Sequence, residues 1–324
     1  MTVSAVPALN GVLLVDKSPG PTSHDVVEAA RHALRTRRIG HTGTLDPFAS
    51  GLLILCVGRA TRLSEYFHIP DKRYEAELRL GLETASHDPD GEVVSESRAW
   101  RGLTLNRVGD ILRGFEGIID QRPPALSAKR IRGRRAHALV RQGAEVRLSP
   151  HRITIHSLRI LRFDPPVLRL AARVSTGTYM RSLARDLGRE LGCGAHLTVL
   201  RRTAIADLSA ADAIPDAQLR DGEVTADRIP TSGSWLESGK ALSWLASRCV
   251  TEMEIPLLRT GKLLDAESDE GDHVDAAGAA GAPDVGTGGA AGDPGPVRLL
   301  YGDRLVAIGE LRNGRIQPRK VFLD

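Results

Sequence analysis

Asp46 is the single acid between Glu28 and Glu65, and six arginines share that stretch: Arg31, Arg35, Arg37, Arg38, Arg59 and Arg62. An unperturbed aspartate titrates near pH 3.9, and positive neighbours favour its charged form further. Ionised at neutral pH, it is a poor general acid and a competent nucleophile or base. Its setting, Thr44-Leu45-Asp46-Pro47, is equally that of a turn aspartate before proline. Further along, Tyr179 and Arg181 open a helix that Thr178 can cap. A cation in that first turn opposes the helix dipole, at a cost of about 0.3–1 kcal/mol. Such an arginine invites a compensating anion, a phosphate or a carboxylate such as Asp46, unless it is simply exposed. Tyr74 falls on the apolar side of an alternating segment and reads from spacing as core or as contact. His41 stands in a glycine-rich loop with no ligand-spaced partner, so no metal is expected there.

Phosphate is the next chemistry to look for. Gly40-His41-Thr42-Gly43 matches a GXXG loop of the kind that clamps a nucleic-acid backbone, a short pattern that also arises by chance. No GxxxxGK[ST] sequence is present, so a nucleotide P-loop is not supported. Residues 122–152 carry nine Arg or Lys against one acid, Glu145, with Lys129, Arg130, Arg132, Arg134 and Arg135 crowded into seven positions. A charge run is usually a solvated face, but this imbalance points to RNA or DNA phosphates.

Gly11–Asp16 and the apolar run Leu52–Val57 are strand candidates, the second entered directly from the Asp46 loop. Thr22 or Ser23 caps a helix to about Arg35, and a second helix runs from about Arg59 to Phe67. Residues 73–81 alternate, with Tyr74, Ala76, Leu78 and Leu80 on one face, as a half-buried antiparallel strand does. Leu103–Phe115 reads as a helix, and Leu168, Leu170, Ala172 and Val174 as another alternating strand. After Thr178, the residues Met180, Leu183, Ala184, Leu187 and Leu191 form one helical face. Short strands, Arg304–Leu311 and Arg315–Phe322 among them, end the chain. Strands and helices interleave without a regular βαβ beat, which makes the class mixed α+β.

Composition sets the remaining bounds. No apolar run approaches the roughly 20 residues of a membrane span, and the N-terminus lacks the basic n-region of a signal peptide. Cys56, Cys193 and Cys249 are scattered, which argues against disulfides or a zinc knuckle and for a reducing cytoplasm. The stretch 266–296 holds seven acids, eight glycines, eight alanines and no Lys or Arg, a composition expected to be disordered. Outside it, 44 basic residues face 33 acidic ones, a balance of +11 that suits a polyanionic partner. Of the basic residues 38 are arginine, which favours bidentate phosphate contacts, although a GC-rich genome also inflates Arg, Ala and Gly.

Five segments together resemble one family. They are Gly11-Val12-Leu13-Leu14-Val15-Asp16-Lys17, the Gly40–Gly51 loop around Asp46, Lys72-Arg73-Tyr74, Gly177-Thr178-Tyr179-Met180-Arg181, and Gly192–Arg202 with Leu200. Their order over roughly residues 10–210 is that of TruB-type tRNA pseudouridine-55 synthases. Phe48 and Ser50 depart from the Leu and Thr more usual there, and neither change removes a catalytic group.

The resemblance implies a pseudouridine-synthase fold: a mixed, largely antiparallel sheet, with a small C-terminal PUA-like β domain. It implies a catalytic domain over residues 1–240 and the PUA-like domain over 250–324, interrupted by the acidic insert 266–296. The implied reaction turns the uridine at position 55 of the tRNA T-loop into pseudouridine, with no cofactor and no metal. Asp46 would be the catalytic aspartate and Arg181 its ion-pair partner. Tyr74 would stack on the target base and act in proton transfer, His41 would help hold the flipped nucleotide, and Tyr179 and Leu200 would line the pocket. Lys129, Arg130, Arg132, Arg134 and Arg135 would sit on a loop that clamps the T-arm. The partner would be tRNA alone, with no guide RNA and no membrane, and the enzyme would act as a cytoplasmic monomer. Two other functions fit parts of the pattern. A glycoside or nucleoside hydrolase would need a second carboxylate, and none lies in the Asp46 loop. An RNA-binding protein would leave Asp46 purely structural.

Overall fold

The computed structural model describes residues 9–124, 130–131, 134–135, 148–266 and 295–323. The chain folds into two compact units: one of residues up to 45, 52–70 and from 205 on, the other of residues 46–51 and 71–204.

In the first unit, β1 (Gly11–Lys17) and the part of β3 (Ser50–Val57) from Leu52 on are continuous apolar runs, as strands covered on both faces must be. Val12 to Val15 and Leu52 to Val57 are all buried. Residues 214–215 lie parallel to β1 and residues 235–236 antiparallel to it, while β2 (Ile39–His41) lies antiparallel to β3. Helix α1 (Ser23–Ala33) starts in a capping box, Thr22 and Asp25 each accepting from the other's backbone N–H, and buries Val26, Val27 and Ala30. Ser23 Oγ donates to the carbonyl of Leu45 and accepts from its N–H, at 3.2 and 2.9 Å, which pins the residue before Asp46. Helix α1 ends in a Schellman motif, with Thr36 N bonded to Arg31 O and Arg35 N to His32 O. The left-handed position of that motif, φ +51°, is filled by Arg35. Glycine would relieve about 1–2 kcal/mol there.

The helix expected from Arg59 is a 3₁₀ helix, Gly58–His68. Its Phe67 meets Trp244 edge to face at 5.3 Å within the core of this unit. The C-terminal strands form a separate five-stranded sheet, in the order 246–249, 296–301, 304–312, 315–321 and 264–265. That is the small β domain expected there. Lys320 pairs with Glu65 at 2.7 Å and Arg62 donates to Val321 O at 2.7 Å, fastening the sheet to the 3₁₀ helix. The acidic insert lies outside the described residues from 267 to 294.

The second unit is built on β4 (Lys72–Leu80), β5 (Leu82–Thr84), β6 (Val93–Glu96), α2 (Leu105–Gly114) and β7 (Gly117–Gln121). A two-residue-per-strand hairpin, β8 (Arg130–Ile131) and β9 (Arg134–Arg135), precedes β10 (His151–Asp164), β11 (Val167–Val174), α3 (Met180–Glu190) and β12 (Ala195–Ile205). The strand order is β12-β4-β11-β10-β7, and from β4 to β7 each strand runs antiparallel to its neighbour. The class is therefore α+β with a mixed, largely antiparallel sheet. The 14-residue strand β10 is absent from the sequence expectation, which placed its first residues in the basic segment 122–152. Thr178 also departs from expectation. Its hydroxyl donates to Ser175 O at 2.9 Å, and Tyr179 is the cap residue of α3.

Candidate active site

Asp46 occupies the first position of a tight turn, its carbonyl accepting from Ala49 N at 3.0 Å, with Pro47 supplying the fixed φ of the second position. The chain then enters β3 through Ser50 and Gly51, which pair with Arg201 and Arg202 of β12. Gly51 has φ +103°, and a Cβ on it would lie 2.2 Å from Arg202 O, so only glycine lets the strands close at this corner. The turn thus delivers the Asp46 carboxylate from a fixed backbone.

Arg181 meets that carboxylate with a two-pronged grip. Its Nε lies 3.0 Å from Oδ2 and its Nη2 3.1 Å from Oδ1. The third nitrogen turns away: Nη1 donates to Asp88 Oδ2 at 3.2 Å and to Ser86 O at 3.3 Å. Asp88 in turn accepts from the Ser86 hydroxyl and from Asp90 N at 3.2 Å. The side chains of Arg181 and Asp88 are 9% and 11% exposed, and that of Asp46 is 34% exposed. One guanidinium therefore serves two carboxylates. The buried acid is engaged by fixed donors, and the other remains partly open to solvent. This arrangement orients the Asp46 carboxylate, as a nucleophile or base requires.

The anion that Arg181 invites from the first turn of α3 is thus protein carboxylate, two of them. Asp88 escaped the sequence reading because Asp88-Pro89-Asp90-Gly91 looks only like a turn. It also supplies the second carboxylate that the hydrolase alternative needs, but it is buried, ion-paired and bonded by Ser86.

Tyr179 is positioned by Gln121, which is 1% exposed and brackets its backbone: Tyr179 N donates to Oε1 at 2.8 Å and Nε2 donates to Tyr179 O at 3.2 Å. The Tyr179 ring meets His151 edge-on at 6.2 Å, and His151 Nε2 lies 3.0 Å from Gly177 O. Gln121 carried no signal in the sequence. Tyr74 is half-buried near the start of β4, on the same face as Ala76, Leu78 and Leu80 and opposite Ala172. Leu200 is buried on β12, the strand beside β4, and Thr198 ties the two by donating to Glu77 O at 3.2 Å. Lys72 precedes Tyr74 by two residues; burial, with Arg202 adding to it, lowers its pKa to about 8.

His41 belongs to the first unit, where it ends strand β2 opposite Leu55 rather than standing in a loop, and its Nδ1 accepts from Gly43 N at 3.4 Å. Of the basic cluster, Arg130, Arg134 and Arg135 lie on the β8–β9 hairpin, Arg130 opposite Arg135. Lys129 and Arg132 lie outside the described residues. Among the described residues no group of three or more His, Cys, Asp or Glu is placed to hold a metal ion, and no helix is long and apolar enough to cross a membrane.

Comparison with known proteins places this geometry in context. Residues 31–180 match the family model described as the N-terminal domain of TruB family pseudouridylate synthase, and residues 181–238 match that of the tRNA pseudouridylate synthase B C-terminal domain. The tRNA pseudouridine synthase B of Aquifex aeolicus is 32% identical over 318 residues, which is 97% of this chain and 100% of the relative. That of Solibacter usitatus is 40% identical over 254 residues, covering 78% and 85% of the two chains. Among solved structures, a Cbf5-Nop10-Gar1 complex superposes with a TM-score of 0.71 at 23% identity, over 97% of this chain and 85% of that one. This last is a likeness of fold.

Proposed function

Since the chain belongs to the TruB family of pseudouridylate synthases, we propose that it isomerises the uridine at position 55 in the T-loop of tRNA, with Asp46 as the catalytic carboxylate. Formation of pseudouridine in tRNA is the activity the family carries; the T-loop position and the residue roles are our reading. The observation that supports it most is the grip of buried Arg181 on a partly open Asp46.

The reaction breaks the bond from ribose C1′ to uracil N1, turns the base over and joins C1′ to C5. A proton leaves C5 and one is gained at N1, so no atom is added or lost overall. The uridine must first leave its stack, which costs a few kcal/mol. Stacking on an aromatic ring such as Tyr74 returns about 1–3 kcal/mol, and phosphate contacts from the basic segment around the β8–β9 hairpin add more. An ionised Asp46 then acts on the everted nucleotide, with Arg181 fixing its direction. Tyr179 and Leu200 enclose the detached base, which keeps it from escaping and keeps water from intercepting it. His41 is assigned to hold the flipped nucleotide, and Tyr74 to move a proton as well as stack. In this reading residues 1–240 do the chemistry and residues 250–324 add a PUA-like domain. The enzyme works as a monomer in the cytoplasm, on tRNA without a guide RNA.

The test is pseudouridine mapping on an unmodified tRNA transcript. The parent is expected to modify position 55, and Asp46→Ala to form none while keeping tRNA affinity within about tenfold. Retained activity in Asp46→Ala would remove the catalytic assignment, and release of free uracil without pseudouridine would favour a hydrolase.

A further inference from the structure

The arginines around Asp46 in the sequence do not share one task. Arg31 pairs with Glu28 at 2.6 Å and donates to Ile39 O, while Arg62 bonds Val321 O and stacks on Phe322 at 4.9 Å. Arg35, Arg38 and Arg59 instead line a cavity of about 720 Å³ at the C-terminal end of α1, together with His32 and Asp227. We propose that this cavity is a second RNA-backbone site, which takes a ribose phosphate of the bound tRNA. The inference rests on the tRNA reading above and adds a contact to it.

Three observations carry it. The first is charge: three arginines line a cavity whose size suits a small ligand, and Asp227 is the one carboxylate on its lining among the described residues. Arg38 is steered by donating from Nε to Thr61 Oγ1 at 3.2 Å. Asp227 offers an acceptor for a ribose hydroxyl, the group that distinguishes RNA from DNA. The second is the backbone of Arg35. It sits at the left-handed position of the Schellman motif, φ +51°, where glycine is the easy residue. An arginine kept there at a cost to the fold is the kind of local strain that gathers at functional sites. The same motif engages the carbonyls of Arg31 and His32, which blunts the repulsion an anion would meet at a helix C-terminus. The third is reach. Arg38 stands three residues before His41 on the chain entering β2, about 10 Å at roughly 3.3 Å per residue, so one RNA strand can engage both.

Arg35→Gly is the decisive variant, because it removes the cation and relieves the strained backbone together. It is to be compared with Arg38→Gln and the parent for tRNA binding across a salt series, turnover on a tRNA transcript, and thermal unfolding. For Arg35→Gly we expect a melting temperature no lower than the parent's, KM raised about three- to tenfold with kcat retained, and a salt slope of binding shallower by about one. Unchanged slopes in both variants would overturn the proposal. So would saturable binding of uridine monophosphate to the parent, lost in Arg35→Gly while the tRNA slope holds, since that assigns the cavity to a free nucleotide. The slope is read without turnover. A parent that makes no pseudouridine therefore counts against the function above, and the slope still decides the cavity.

Discussion

Asp88 holds the far side of Arg181: its Oδ2 receives Nη1 at 3.2 Å, while the near side of the same guanidinium grips Asp46. On the proposed function, Asp88 would be a positioning residue that acts through Arg181. Asp88→Ala removes the carboxylate that anchors Nη1 and lets the guanidinium swing. Loss of alignment on that scale costs about 10²-fold in rate. We expect kcat to fall by about that factor with KM for tRNA changed less than about threefold, and Asp88→Asn to be milder. Equal kcat in parent and Asp88→Ala, measured under single-turnover conditions, would contradict this.

Gln121 governs Tyr179 through the backbone. Gln121→Leu removes two hydrogen bonds to the partly buried Tyr179 backbone, leaving its carbonyl the bond from Leu183 N at 3.0 Å, and each lost bond costs about 0.5–1.5 kcal/mol. The melting temperature should drop by a few degrees, roughly 1–2 °C per kcal/mol in a chain of this size. KM for tRNA should rise with it, since the Tyr179 ring loses its fixed base. Thermal unfolding and steady-state kinetics on one preparation check both halves.

The basic segment makes an electrostatic prediction. Neutralising Arg132, Arg134 and Arg135 together should lower the slope of log affinity against log salt by about one for each phosphate they neutralise. Pseudouridine formation on a transcript at saturating concentration should persist. A slope identical to the parent's would show that the segment does not touch phosphate.

These predictions draw unequally on what the sequence discloses. The continuous apolar runs Val12–Val15 and Leu52–Val57 announce buried strands, and the alternation at Tyr74, Ala76, Leu78 and Leu80 announces β4, because periodicity is a local signal. The demand of Arg181 for an anion is also local, set by its place in the first turn of α3. Its second partner is not: Asp88 lies 93 positions away, and nothing within its turn marks it as anything but a turn residue. Strand β10 is hidden because only Ile153 and Ile155 of its length are buried, so arginines interrupt the alternation. Thr178 satisfies the pattern of a helix cap, but a carbonyl three residues back outcompetes the helix for its hydroxyl.

His87 yields the pH prediction. It sits beside Asp88 in a left-handed conformation, φ +60°, and its Nδ1 is buried without a hydrogen-bond partner among the described residues. Burial is the main cause of a lowered pKa; Arg185, Arg189 and Arg181 from α3 push the same way, and Glu83 from β5 opposes them. With the folded value below the ordinary 6.5, the unfolded chain binds more protons as pH falls past 6.5, so protonation favours unfolding. Stability is full above that pH and is lost progressively toward the folded pKa. His87→Asn removes the titration while tolerating the left-handed backbone. Melting curves of the two proteins between pH 7.5 and 5 should therefore converge or cross on acidification, the parent losing more than the variant. Parallel curves over that range would mean that His87 carries no proton-linked stability. The imidazole faces the arginine stripe that includes Arg181, so the same protonation puts a further positive charge beside the ion pair that orients Asp46. Activity of the parent should thus decline on the acid side together with its stability, and the decline should be shallower in His87→Asn.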